Sequence, residues 1–402
     1  MRFGKGGRRR RPPLSAALSM HVAMLVLSVV VLGGRGVALA APGDPLPGLS
    51  PAHLEWFTSG REAFDEVYVP ATGLGPIFNA ESCVACHAEP AAGGGSARSV
   101  TRFGRVTDGV FDPLTAKGGP LLQAFAIAPE CQETIPPEAN VVAERITTPM
   151  FGAGLVEALL DEDIARRADP DDHNHDGISG RVNLIPYPGR LRAGRFGWKS
   201  QDATLLSFIA DAMVNEMGLT NLIVPGGPRP NGSAALQATC EAIEGQADPE
   251  DVGSDDEFPD LVRTTNFARL LAPPDQPRPR GRGWHVFRRA RCDRCHTPKM
   301  RTGPHTIPAL AFQTIYPFSD FLVHDMGTLG DGIAQEQAGQ TEMRTAPLWG
   351  ISGRSRYLHD GRATTIFDAI VAHDGEAAAS RDRFLALAPA NQAALVSFVG
   401  SR

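Results

Sequence analysis

Apart from residues 20–32 the chain lacks any long apolar run, which excludes a protein that crosses a membrane several times. It also lacks a phosphate-binding loop, a dinucleotide fingerprint and a nucleophile–histidine–acid signature, so nothing points to the enzyme classes those motifs define. Positive charge is scarce once the N-terminus is set aside. Residues 1–40 hold seven basic and no acidic side chains, so the remainder has a formal net charge of -13 where the whole chain has -6. That balance speaks against nucleic acid as a partner.

What is present is a chain of 402 residues, 42% hydrophobic, long enough for a sizeable core and for two domains or one large divided one. A basic cluster at Arg8–Arg11, the apolar run Met20–Leu32 and then Ala38-Leu39-Ala40 have the layout of a secretory signal cleaved after Ala40. The run is short for a bilayer, so an uncleaved anchor is the weaker alternative and the expected protein is exported to the periplasm, not integral to a membrane. Expected boundaries are a signal at 1–40, an N-terminal domain at 41–272 and a C-terminal domain at 273–402.

After a Pro/Gly linker at Gly43–Ser50, Ser50-Pro51 opens an amphipathic helix with Leu54, Phe57, Phe64 and Val67 at apolar positions. Leu205, Leu206, Ile209, Met213 and Met217 mark a buried helix over 205–217. Further helices are expected at 260–271, 365–372 and 389–399. An acidic loop at 247–260 lies between the 205–217 and 260–271 helices, and a Pro/Arg/Gly stretch at 273–282 marks the boundary of the C-terminal half.

Four of the six cysteines stand in Cys83-Val84-Ala85-Cys86-His87 and Cys292-Asp293-Arg294-Cys295-His296. On one helical turn, cysteines at i and i+3 put two sulfurs on one side, where they form thioethers to the vinyl groups of a porphyrin. The histidine at i+4 then lies under the iron. Two such pentapeptides in an exported chain point to two covalently bound c-type haems. A Cys₄ zinc site is the alternative, disfavoured by the histidine after each pair and by the roughly two hundred residues between them. Cys131 and Cys240 are left free to pair in an oxidising compartment. Thr147-Thr148-Pro149-Met150-Phe151-Gly152 and Thr345-Ala346-Pro347-Leu348-Trp349-Gly350 follow their haem motifs at similar distances, a weak internal repeat that speaks for duplication. Haem attachment to an unfolded chain after export favours the general secretory route. The acidic balance suits docking of a basic electron-transfer protein, although solubility alone would account for it.

The segments Phe78–Cys83, Asp176-Gly177-Ile178-Ser179-Gly180-Arg181, Gly194–Lys199 and Tyr357–Arg362 resemble the di-haem "thiol oxidoreductase" family over nearly all of the chain after residue 40. More distantly the chain is similar to bacterial di-haem cytochrome c peroxidases and to MauG-like enzymes. The resemblance implies a mainly α fold of two cytochrome c-like haem domains with long loops and few short strands. It also implies electron exchange with a small cytochrome or cupredoxin.

By the same resemblance the C-terminal iron takes a methionine, for which Met326 is the candidate and Met343 the rival. Glu216 falls where the peroxidases carry a carboxylate that moves a proton over the distal face of the N-terminal haem. Trp198 matches a tryptophan lying between the haems. Phe208 stands where those relatives have glutamine, and the interval from Trp198 to Glu216 is shorter; both departures weaken the peroxidase expectation. Asp172, Asn174 and Asp176 alternate before Gly177 like the first half of a calcium loop without its closing glutamate, so one Ca²⁺ is weighed against an Asx-rich turn. His173 and His175 are alternative distal ligands. His359-Asp360 is a candidate proton-handling pair, and Arg344, Arg356 and Arg362 are candidate propionate partners.

The leading expectation is an exported di-haem oxidoreductase with a reactive N-terminal haem and peroxidase-type chemistry. Its alternatives are a non-catalytic di-haem electron carrier and a maturation factor that oxidises a partner protein.

Overall fold

The computed structural model describes residues 40–243 and 259–402. The expected signal at 1–40, but for its last residue, and the acidic loop over 247–258 lie outside them. Contacts gather these described residues into one unit.

The first helix runs Pro51–Asp65. Ser50 caps it by accepting from the His53 amide at 3.2 Å, and Pro51 occupies the first position, where its missing N–H costs nothing. Phe57 and Phe64 are buried against Phe267 of the Asp260–Leu270 helix, with ring centroids 5.2 and 4.7 Å apart. The two helices cross at Gly60, where a Cβ would stand 2.1 Å from the Arg263 carbonyl oxygen. Leu54 and Val67, expected on the buried face, are exposed instead. The Leu205–Met217 helix completes this first core, which also takes in Met300, Ile307, Leu310, Ile315, Phe321 and Leu322 from beyond residue 273. A second core joins Val286 and Phe287 of the Gly281–Arg289 helix to Phe318, Phe384, Leu395 and Phe398.

The fold is less purely helical than expected. About 34% of the described residues are helical and 16% extended, and the extended ones form small sheets. The largest sheet is built on Ser99–Thr107, a nine-residue strand flanked antiparallel by Val110–Asp112, Leu121–Leu122 and Val141–Ile146. Val100, Thr101, Val106 and Thr107 favour an extended backbone, but only Phe103 and Gly104 of this strand are buried, so no alternation advertises it.

The repeat has a structural counterpart. Gly152 and Gly350 both sit at φ near +72° and each opens a helical turn, Ala153–Glu157 and Ile351–Gly353 respectively. Among the described residues no helix is long and apolar enough to cross a membrane.

Candidate functional site: two histidine-lined cavities joined at Trp198

Each C-x-x-C-H segment closes one hydrogen-bonded turn. The His87 amide donates to the Cys83 carbonyl at 3.1 Å, and the His296 amide to the Cys292 carbonyl at 3.0 Å. Both cysteines and the histidine of each segment thereby face one cavity. The cavity at Cys83 has about 1160 Å³ of open space and that at Cys292 about 1340 Å³.

The histidines are set up alike. His87 Nδ1 lies 2.9 Å from the Gly94 carbonyl oxygen and His296 Nδ1 lies 2.9 Å from that of Phe318. A carbonyl only accepts, so Nδ1 carries the proton and Nε2 keeps its lone pair, the arrangement of a metal-binding imidazole. Burial lowers both pKa values to about 4, so both rings are neutral near pH 7. Burial also pushes the Cys83 and Cys292 thiols up to about 12 and raises those of Cys86 and Cys295. The two cysteine pairs line different cavities, so no Cys₄ tetrahedron forms. Among the described residues Cys295, Asp320 and His324 lie close enough to share an ion. His324, however, is clasped by Asp320 at Nε2 (3.0 Å) and by Glu376 at Nδ1 (2.7 Å). Burial works against its charge, but its acidic neighbours, Asp320 among them, outweigh it and hold its pKa well above the ordinary imidazole value.

Glu216, near the end of the Leu205–Met217 helix, lines the N-terminal cavity. Its carbonyl accepts from the Asn79 and Ala80 amides, tying the approach to Cys83 onto this helix, and the Asn79 side-chain amide donates to its carboxylate at 2.9 Å. Burial raises its pKa, opposed by Asn79 and Arg102. Phe208 lines the same cavity and stacks on Phe196 with centroids 6.1 Å apart. Gln201 and Arg102 line it too, neither of them singled out from sequence. Gln201 sits in the loop after Trp198 and not on the helix, and the Arg102 Nε is buried without a partner.

Trp198 lines both cavities. It is 8% exposed, its Nε1 donates to the Ile146 carbonyl at 2.9 Å, and His359 meets it edge-on at 6.3 Å. Met326 and Met343 line the C-terminal cavity and pack with Trp198 and Ile146. The repeat supplies equivalent walls: Thr147, Thr148 and Met150 on one side, Thr345, Ala346 and Leu348 on the other.

Of the three candidate propionate arginines, Arg344 reaches the C-terminal cavity together with Arg354; Arg362 pairs with Asp360, and Arg356 donates to the Gly361 carbonyl. Neither Arg356 nor Arg362 lines either cavity. Asp172 accepts from the Asp176 and Gly177 amides, Asp176 from Ile178, and the Asn174 amide donates to Asp169, so these side chains build an Asx-rich turn. His173 is held by Asp169, and neither it nor His175 lines a cavity.

Residues 137–402 match the family model described as "Di-haem oxidoreductase, putative peroxidase", and the chain belongs to that family. The two neutral histidines with free Nε2 atoms, each beside two uncharged thiols in its own cavity, are a donor set that suits two haems. No curated protein matches the chain. A solved structure of Kuenenia stuttgartiensis hydrazine synthase, pressurized with 20 bar xenon, aligns over 99% of this chain and 100% of its own. At 14% identity and a TM-score of 0.35, that likeness carries no argument.

Proposed function

We propose that the protein is an exported di-haem c-type oxidoreductase that performs peroxidase-like chemistry at its N-terminal site. Its C-terminal site exchanges electrons with a small cytochrome or cupredoxin. The observation that carries this reading is that Trp198 belongs to both cavities, each of which presents a C-x-x-C-H histidine with a free Nε2.

In this reading residues 1–40 are the signal, 41–272 and 273–402 are two cytochrome c-like domains, and Cys83, Cys86, Cys292 and Cys295 carry the thioethers. The disulfide between Cys131 and Cys240 supports an oxidising compartment, and the matched walls supplied by the repeat support duplication. When bound, the haems supply one-electron redox chemistry.

The remaining work falls to the chain. Glu216, whose pKa burial raises, stands at the N-terminal cavity wall as the group that would take up or give a proton there, and Asn79 fixes the direction in which its carboxyl points. Phe208 keeps its part of the cavity dry, while the Gln201 amide provides a polar group there. Trp198, locked by its bond to Ile146, sets a rigid aromatic wall between the two sites.

The test is to express the chain with c-type haem maturation machinery, count haem per chain, record paramagnetic resonance spectra, and add peroxide to the half-reduced form. Two covalent haems, one of them high-spin and reactive, are expected. Two low-spin, peroxide-inert haems would make the protein an electron carrier, and absence of covalent haem would overturn the reading.

A further inference from the structure

We infer that His373 is the second axial ligand of the C-terminal iron, so that this site is closed by two histidines; the inference rests on the haem reading of the C-terminal cavity. Among the described residues four histidines line that cavity: His296, His324, His359 and His373. His324 has both nitrogens engaged by Asp320 and Glu376. His359 lies edge-on to Trp198 with its Nε2 4.0 Å from Asp360.

His373 is built differently, and in the way His296 is built. It follows the Ile366–Val371 helix, and its Nδ1 donates to the Ala369 carbonyl at 2.7 Å, one of the helix-end acceptors left over by the helix itself. That bond fixes the tautomer and leaves the Nε2 lone pair for a metal. The ring centroids of His296 and His373 are 6.4 Å apart, with their planes crossed at 56°. A metal about 2 Å from each of two imidazole nitrogens sets the ring centroids roughly 6 Å apart. The backbone that carries His373 is pinned on both sides. Arg381 donates to its carbonyl at 2.8 Å, and the Thr328 hydroxyl donates to Asp374 at 2.7 Å.

Met326 and Met343 instead lie in the small apolar cluster with Ile146 and Trp198, toward the wall shared by the two cavities. Among the described residues the N-terminal cavity is lined by one histidine, His87. The two sites therefore differ in kind: the C-terminal one is saturated by imidazole and suited to electron transfer, the N-terminal one has no second imidazole.

The test uses the full-length holoprotein. Haem per chain is counted first, because fewer than two haems sinks the haem reading and this inference together. With two haems present, near-infrared magnetic circular dichroism of the unaltered ferric protein reads the ligand pair directly. A bis-imidazole charge-transfer band is expected for the low-spin haem; a methionine–imidazole band would overturn the inference while leaving the haem reading intact. His373→Ala should convert that haem to high spin, with free imidazole restoring the low-spin spectrum. Met326→Leu and Met343→Leu should leave it low-spin. A low-spin spectrum that survives His373→Ala and disappears in Met326→Leu would return the ligand role to Met326. Because methionine ligation raises haem potentials, His373→Met should move the C-terminal potential upward.

Discussion

At the scale of single residues, burial shifts the titratable groups that line the cavities. Glu216 is the clearest case: burial raises its pKa and one amide orients it. Glu216→Gln should lower peroxide turnover by about 10²-fold or more, the usual worth of a positioned proton donor, with haem content and spectra unchanged. Wild-type turnover in the variant would remove Glu216 from the chemistry. Glu133 supports the same end of the helix, since it accepts from the Gln123 amide while the Gln123 side chain donates to the Asn215 carbonyl. Burial raises the Glu133 pKa from 4.5 to about 7, against the pull of its two backbone donors. Between those pH values the folded chain keeps a proton that the unfolded chain gives up, so stability falls as pH rises through this window and stays reduced above it. Thermal melts should show Tm dropping from pH 5 to pH 7.5, and Glu133→Gln should flatten that slope. The two Cys-x-x-Cys-His segments were legible from sequence because each lies in five consecutive positions. Gln201 and His373 were not, because nothing local says which cavity a loop residue will face.

At the scale of elements, the Leu205–Met217 helix positions most of the N-terminal wall. Thr204 caps its start by accepting from the Ser207 amide at 3.1 Å, and Gly218 ends it in the left-handed conformation at φ +72°. Gly218 also lies against Gly75, so a Cβ there would meet the Gly75 Cα at 2.5 Å. Gly218→Ala should destabilise the protein by more than the ~1–2 kcal/mol that left-handed strain alone costs, and should disturb Glu216 two residues earlier. Denaturant titration reads the first effect and peroxide kinetics the second; an unchanged midpoint would show that the contact yields. This helix was readable from its apolar period. The Ser99–Thr107 strand was not, because its pairing partners lie up to 47 residues away and its faces are not divided into buried and exposed. In the Asp172–Gly177 segment the alternation of Asp172, Asn174 and Asp176 was legible from sequence, but the bonds of these side chains to neighbouring groups exist only once the backbone is bent.

At the scale of the whole molecule, the Cys131–Cys240 bond ties the connection between the Leu121–Leu122 and Val141–Ile146 strands to the Ala234–Glu241 helix across 109 residues. Replacing both cysteines by serine should cost about 2–5 kcal/mol, read as a lower denaturant midpoint; an unshifted midpoint would mean the loop is already ordered without it. The formal charge of -13 on residues 41–402 favours a basic partner, so the rate of reduction by a basic small cytochrome should fall steeply as salt is added. A salt-independent rate would point to an apolar docking surface. By itself the sequence determined the two Cys-x-x-Cys-His motifs, the main helices, the repeat and the family resemblance, all of which are written in short windows or fixed spacings. Only the tertiary structure decided that Trp198 belongs to both cavities, that Phe208 is accompanied by Gln201, and that His373 comes to face His296. Those relations join residues brought together by two cores packing around a shared wall, and burial there, not chain proximity, sets which nitrogen, carboxyl or ring is left free to act.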